Sequence, residues 1–325
     1  MQAVVHRAYG APGVLQVERI HEPSIGATQM LVRVHASPVT QGDRRMRSAD
    51  FPGISWLPGR LMSGLLRPRH AVPGTAFAGR VVAVGANVEG FEVGQDVFGL
   101  GMHGAHAEFL AVESDSAVAP MPEGLTYAQA AAVPYGALTA WTFLKGLAPV
   151  DKGQRVLVVG GTGGVGRWVV QMARQMGAVV TAVCRAERAS LARELGAHHT
   201  VDYTTTDFAS QGVLYDMVFD TTGVIAFEHA QQALRPKGRF VSLHINARLI
   251  SQALWTSFWG GQRVIIGVSG GDRESLEGIG ALIERGALRP VVEQTYRLEE
   301  IAQAHERVEA GQTLGSVVVT VPVLS

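Results

Sequence analysis

Cysteine is nearly absent: Cys184 is the only one in 325 residues. This excludes an intramolecular disulfide and any cysteine cluster for zinc. No uninterrupted apolar stretch reaches membrane-spanning length. The opening Met-Gln-Ala-Val-Val-His-Arg-Ala-Tyr lacks the long apolar h-region of a signal peptide. An excess of one charge sign is missing too. Lys and Arg number 28, as do Asp and Glu, so no global field points to nucleic acid or an anionic membrane. Hydrophobic residues make up 47% and charged residues 17%, which argues for a compact globular chain rather than disorder. A reduced, cytoplasmic protein is expected, long enough for two domains with real cores.

Several catalytic signatures are also absent. No tyrosine is followed by lysine four residues on, and no Gly-x-Ser-x-Gly elbow occurs. His103 and His106 lie close together in a glycine-rich loop, but no third metal ligand is apparent. His198 and His199 precede a strand and read as surface or edge residues. No metal is expected.

What is present is a glycine turn. Residues 156–159 form a short continuous apolar run, the pattern of a strand buried on both faces. Gly160, Gly161, Thr162, Gly163, Gly164, Val165 and Gly166 follow in one turn. Trp168, Val169, Met172 and Met176 then recur at helical spacing, with Gly177 placed to stop the helix. Strand, glycine turn and helix suit a dinucleotide's pyrophosphate, because bare backbone N–H groups can approach it and the helix N-terminus adds partial positive charge. A glycine pattern alone also makes ordinary tight turns.

Around this centre the texture divides. Residues 1 to about 122 read as β-rich, with short strands at 3–5, 31–36, 79–84, 97–99 and 107–112, which suggests a twisted, partly closed antiparallel domain. Residues 46–72 form a longer segment, either a substrate-side lid or an amphipathic helix on the surface. From Thr126, helices and strands alternate: a helix over 127–144, strands at 179–184, 199–201, 217–220, 239–243 and 264–268, and helices near 188–195, 226–234 and 276–285. Such alternation means a parallel sheet covered on both faces. A last strand–helix–strand (291–296, 298–309, 317–321) is expected to return to the first domain. The boundaries expected are 1–122 completed by 288–325, and 123–287 for the dinucleotide domain.

The second strand discriminates between cofactors. An NAD site wants an acidic residue near its end. Here the strand runs into Cys184-Arg185-Ala186-Glu187-Arg188, with two guanidinium groups where a 2′-phosphate would lie. NADPH is therefore expected, the alternatives being solvated arginines at a helix start or an arginine neutralised by Glu187. With no acid, base or metal evident, hydride delivery must do most of the work. Conjugate reduction of an enone or quinone fits, since the accepting carbon is already electrophilic.

These residues resemble the zinc-independent medium-chain dehydrogenase/reductases of the quinone oxidoreductase (zeta-crystallin-like) type. The likeness covers nearly the whole chain: 31–36 through Asp43; 73–79, where Thr75 and Ala76 replace the zinc members' ligand and its neighbour; 130–140; 202–204; 219–223; and 282–305. The resemblance implies an α/β architecture, a Rossmann-type doubly wound parallel sheet plus a GroES-like, mainly antiparallel β catalytic domain, with the active site between the domains. It places Gly160 to Gly166 on the pyrophosphate and Arg185, Arg188 and Tyr203 around the 2′-phosphate. Thr221, Leu243 and His244 fall on the adenosine side, and Thr139, Gly267 and Val268 near the nicotinamide. Thr40 and Asp43 fall on the substrate side and, with Thr139, are the candidate catalytic residues, Thr40-Gln41 standing where members often carry Asn. A loop-capping role is an alternative for Asp43. Ser316 stands where a lysine is common.

The expectation is thus an NADPH-dependent, zinc-free oxidoreductase passing hydride to a small-molecule quinone or α,β-unsaturated carbonyl. A homodimer would pair through an edge strand at 264–268. An alcohol/aldehyde reductase of the same fold, or a nucleotide-binding sensor without turnover, are the rival readings.

Overall fold

The computed structural model describes residues 1–51, 53–259, 261–311 and 313–321. By internal contacts the chain divides into two units: one of Met1–Phe51, Trp56–Leu138 and the described residues from Gly271 onward, the other of residues 53–55 and Thr139–Gly270. This division differs from boundaries at 122/123 and 287/288. Helix Tyr127–Ala131 packs on strands of the first unit, and helix Arg273–Glu284 packs on the strand Ala117–Pro120.

The first unit is mainly antiparallel. Its early strands are β1 (Gln2–Val5), β2 (Gln16–Arg19), β3 (Gln29–Val39), β4 (Ala76–Val84), β5 (Asp96–Leu100), β6 (Phe109–Glu113) and β7 (Ala117–Pro120). β3 organises them. Met30, Val32, Val34 and Ala36 point inward at period two, while Leu31, Arg33 and His35 alternate outward. Its length lets it pair with β4 over residues 30–36 and with β6 over 29–33. β2 carries no apolar run and β7 is only four residues long, so neither stands out in the sequence.

The second unit holds a six-stranded, wholly parallel sheet of β8 (Arg155–Val159), β9 (Val179–Cys184), β10 (His199–Asp202), β11 (Tyr215–Asp220), β12 (Leu234–Ser242) and β13 (Arg263–Ile266). The order is β10-β9-β8-β11-β12-β13, so with β8 counted first it reads 3-2-1-4-5-6, the doubly wound dinucleotide arrangement. The direction of winding reverses between β8 and β11, the place where such sheets bind ligands. β8 is buried along its length after Arg155, as a strand covered on both faces must be. The chain then returns to the first unit as β14 (Val292–Arg297) and β15 (Ser316–Thr320), with β15 antiparallel to residues 36–39 of β3.

Several elements depart from the sequence pattern. The helix expected over 127–144 is broken into Tyr127–Ala131 and Pro134–Trp141, followed by a π-helical stretch Thr142–Leu147. Pro134 lacks an N–H and so begins a helix instead of continuing one. The strand expected at 239–243 starts earlier, at Leu234, and the one expected at 264–268 ends at Ile266, which leaves Gly267 and Val268 in the following loop. Helix Ala247–Phe258 was not anticipated. Residues 53–63 form a short turn and the helix Trp56–Ser63, whose Trp56, Leu57, Leu61 and Met62 are exposed.

A buried polar cluster crosses the core of the first unit. Arg47 is ion-paired with Glu309. His305 packs edge-on to His106 at 6.2 Å between ring centroids. Both ring nitrogens of His305, Nδ1 of His6 and of His106, and Nε and Nη1 of Arg47 are buried without a hydrogen-bond partner among the described residues. Burial first, then the fields of His106, Arg47 and His6, push His305 down to about 2. Burial also lowers His6, and His106 too despite the opposing Asp43 carboxylate.

The sign of the pH effect follows. A histidine held neutral in the fold titrates near 6.5 once unfolded, so its contribution is intact above that pH and is lost as pH falls below it. Thermal unfolding followed from about pH 8 to about pH 5 should show the midpoint dropping below about pH 6.5. Each buried histidine steepens the slope by up to ~1.4 kcal/mol per pH unit. His305→Leu should flatten that slope; an unchanged slope in the variant would refute the assignment.

Candidate functional site

The glycine turn joins β8 to helix Gly166–Gln175 in six residues. That path is possible only with glycine at two contacts. Gly160 has φ of +74°, and a Cβ on Gly166 would sit 2.0 Å from the Gly160 carbonyl oxygen. A Cβ on Gly161 would meet the Ala182 methyl of β9 at 2.8 Å. Gly164, by contrast, is exposed with nothing within 4 Å of its Cβ position. The turn therefore packs tightly against the sheet on its inner side and offers bare backbone outward. Val165, the residue before the helix, contributes no side-chain cap, so the helix-start amides face no competing side chain from it. This is a cradle that fits a pyrophosphate. The helix ends where Gly177 takes φ of +84°.

The loop after β11 closes the other side of the cradle. Asp220 is fully buried and accepts hydrogen bonds from Thr222 N (2.8 Å), Thr222 Oγ1 (2.6 Å), Gly223 N (3.1 Å) and Ile225 N (3.3 Å). One carboxylate thus orders residues 221–225. Thr221 donates from Oγ1 to the Val159 carbonyl at 2.8 Å, tying this loop to the end of β8. Gly223 packs so closely on the His244 ring that a Cβ there would lie 2.4 Å from it. Leu243 N reaches the Asp220 carbonyl at 3.2 Å. The turn, Thr221, Leu243 and His244 are therefore brought together at the carboxyl ends of β8, β11 and β12. Asp220 was missed as the organiser, although the Asp-Thr-Thr-Gly spacing is that of a turn whose side chain caps its own backbone.

At the end of β9, Arg185 donates from Nε to the Tyr203 hydroxyl at 2.9 Å, with Glu187 3.9 Å from its Nη1. Arg188 N closes the turn onto the Arg185 carbonyl at 2.9 Å, which keeps both arginines on one short 3₁₀ turn. The Tyr203 hydrogen bond raises Arg185 above its ordinary range. Asp202, one residue before Tyr203, is occupied by Thr204 N at 2.9 Å and Thr204 Oγ1 at 2.8 Å, which hold its carboxyl below the usual range. Cys184 is buried, and burial raises its thiol.

Thr139 donates to Ser269 Oγ at 3.1 Å, and Thr142 to the Gly270 carbonyl at 2.8 Å. Gly267 lies on Leu147, where a Cβ would come within 2.4 Å. The stretch 267–270 is thus laid along the helix of Thr139, with Val268 exposed. Ser269 carried no sequence signal.

Thr40 and Asp43 lie in the first unit and are committed to each other. Thr40 N and Oγ1 donate to Asp43 Oδ2 at 2.8 and 2.5 Å, and Asp43 N donates back to Thr40 Oγ1 at 3.2 Å. This is a capping box opening helix Gln41–Ser48. Thr75 Oγ1 donates to Asp43 Oδ1 at 3.2 Å, so the buried carboxylate has partners on both oxygens. Its observed role is to hold the helix and the 73–76 loop in register. Desolvation, reinforced by Asp43, raises the Tyr135 phenol beside Gly42.

Two family models match the chain. Residues 26–123 match the alcohol dehydrogenase GroES-like domain, and 195–319 match a family described as zinc-binding dehydrogenase. The chain is 31% identical to the quinone oxidoreductase of Pseudomonas aeruginosa, over 96% of this chain and 97% of that one. It belongs to the quinone oxidoreductase family of medium-chain dehydrogenase/reductases. As a member of that family it is an oxidoreductase with a GroES-like domain and a Rossmann-like parallel sheet. Another relative, at 30% identity over 98% of this chain and 79% of its own, is the NADPH-dependent alkenal/one oxidoreductase of Arabidopsis thaliana. Among solved structures, the quinone oxidoreductase from Coxiella burnetii superposes with a TM-score of 0.87 at 26% identity, covering 99% of both chains.

Within the family fold the Gly166–Gly160 contact tests the cradle directly. Gly166→Ala should weaken nicotinamide-nucleotide binding about tenfold or more, because the helix start must move off the strand end. Titration calorimetry measures it; unchanged affinity would dissociate the turn from nucleotide binding.

Proposed function

We propose that this oxidoreductase uses NADPH to reduce a quinone or an α,β-unsaturated carbonyl compound without zinc. The observation that carries the reading is the whole-length likeness to relatives named for quinone and alkenal/one reduction. The donor chemistry supports it. Thr75 and Ala76 occupy the positions that resemble a zinc ligand and its neighbour, and Thr75 spends its hydroxyl on Asp43. No group of three or more His, Cys, Asp or Glu among the described residues is arranged to hold a metal ion. A quinone or enone accepts hydride at a carbon that is already electrophilic, so no Lewis acid is needed.

In this reading Gly160 to Gly166 hold the pyrophosphate through backbone N–H groups. Thr221, Leu243 and His244 border the adenosine, and Arg185, Arg188 and Tyr203 bind the 2′-phosphate. β9 ends in Cys184 and not in the carboxylate that would favour an unphosphorylated ribose, and Glu187 on the turn beyond it faces Arg185 Nη1 at 3.9 Å. Thr139, fixed by Ser269, lies with Gly267 and Val268 beside the nicotinamide. The bound nucleotide supplies a hydride, and solvent supplies the proton that completes reduction. Thr40 and Asp43 act as positioning residues on the substrate side, through the capped helix start. The exposed backbone edge of β13 pairs two copies into a homodimer.

Arg185→Ala combined with Arg188→Ala should weaken NADPH about tenfold or more and leave NADH within about twofold. Equal losses for both nucleotides would remove the 2′-phosphate assignment. NADPH oxidation across quinones, alkenals and enones should persist with chelator present. No turnover on any of them sinks the reading, and activity lost on chelation points to a metal-assisted alcohol or aldehyde reductase.

A further inference from the structure

Helix Pro134–Trp141 does not simply stop. Thr142–Leu147 continue it in π form, with Ala148 N reaching back five residues to the Phe143 carbonyl at 2.7 Å. A π turn is rare and occurs mostly where a fold serves a functional site. Its effect here is on which side chains share a face. In an uninterrupted α-helix Leu147, eight residues beyond Thr139, would point roughly 80° away from it. The wider turn brings it back, and Thr139, Thr142, Phe143 and Leu147 all meet the one short stretch 267–270.

That stretch leaves the carboxyl end of β13, the end at which doubly wound sheets bind ligands. It has no regular secondary structure, and Val268, Ser269 and Gly270 are exposed. Its first residue is fixed by packing. A Cβ on Gly267 would come within 2.4 Å of Leu147 Cδ1 and 3.6 Å of Phe143 Cζ, so a side chain there would lift the stretch off the helix. Phe143 is fully buried and packs edge-on to Phe219 of β11 with ring centroids 5.6 Å apart, which anchors the helix to the sheet. Beyond Gly267 the fastening is polar. Thr139 Oγ1 donates to Ser269 Oγ at 3.1 Å, and Thr142 Oγ1 donates to the Gly270 carbonyl at 2.8 Å. Water would satisfy groups this exposed almost as well, so the two bonds add little net stability. What they fix is position.

We propose that Thr142 and Ser269 are positioning residues for hydride transfer. With the π turn behind them, they hold 267–270 as a fixed wall against the nicotinamide ring. The inference rests on the reading that Thr139, Gly267 and Val268 border that ring. Hydride passes only between carbons that are close and aligned, and a misplacement of about 1 Å can cost on the order of a hundredfold in rate. The glycine cradle and the arginines after β9 grip the other end of the nucleotide. Affinity is therefore set there and ring alignment at the two tethers, which makes the contributions separable.

Thr142→Val keeps the side-chain shape and removes the hydroxyl, and Ser269→Ala removes the second one. In the double variant, NADPH oxidation at saturating nucleotide and acceptor should slow about tenfold or more. NADPH affinity by calorimetry should stay within about twofold, and the melting temperature should not move. Thr142→Ser retains the hydroxyl and should keep the wild-type rate. A second readout needs no acceptor: the fluorescence anisotropy of bound NADPH should fall in the double variant as the ring gains freedom. Unchanged rate and anisotropy in the double variant overturn the proposal. So does a Thr142→Ser protein as impaired as Thr142→Val, which would make packing and not the hydroxyl the cause. If the wild type binds NADPH but reduces no quinone, alkenal or enone, the catalytic reading fails by itself and the anisotropy still decides the tethers.

Discussion

The approach of Gly166 to the Gly160 carbonyl is the contact on which the nucleotide fold depends. It lets the chain leave the end of a central strand and enter a helix within six residues, with a bare backbone turned outward. Any side chain at either contact would push the helix from the sheet. The helix-start amides would then no longer point at the place where the winding of the sheet reverses. The rest of the site is built around holding that junction still: Ala182 closes beneath Gly161, and Thr221 ties the neighbouring loop to Val159.

Two buried carboxylates show how polar groups in this fold serve geometry. Asp220 satisfies three backbone amides and a hydroxyl, and so converts an irregular loop into a fixed wall. Asp43 does the same for the opening of helix Gln41–Ser48, with Thr40 and Thr75 as its partners. A carboxylate with both oxygens taken by near donors is well placed to position a loop and poorly placed to exchange a proton with substrate. The shared logic is that an unpaired buried charge costs far more than a paired one. Chemistry that needs no acid and no metal is compatible with spending these groups on structure.

Much of the architecture was legible in the sequence because it rests on local rules. The apolar run of β8, the crowding of glycines and the helical spacing of Trp168, Val169 and Met172 identify the strand–turn–helix junction without any long-range information. Period-two burial marks β3 equally well. Legibility failed where the chain obeys a distant partner. Pro134 broke a helix that alanine content favoured. Ser269 became the partner of Thr139 across 130 positions. The apolar helix Ala247–Phe258 is ambiguous by periodicity because its outer face is aromatic instead of polar.

The sequence by itself determined that a crowded glycine turn would join a buried strand to a helix and that Arg185 and Arg188, with Glu187 between them, would follow the second strand. These are properties of residue type and spacing, which backbone sterics and charge translate directly into local shape. Only the tertiary structure decided that Arg185 is steadied by Tyr203, that Asp43 caps a helix, and that Leu254, Trp255 and Phe258 of one helix stay outside the core. Each depends on which surfaces meet once distant segments pack, and no local pattern encodes that.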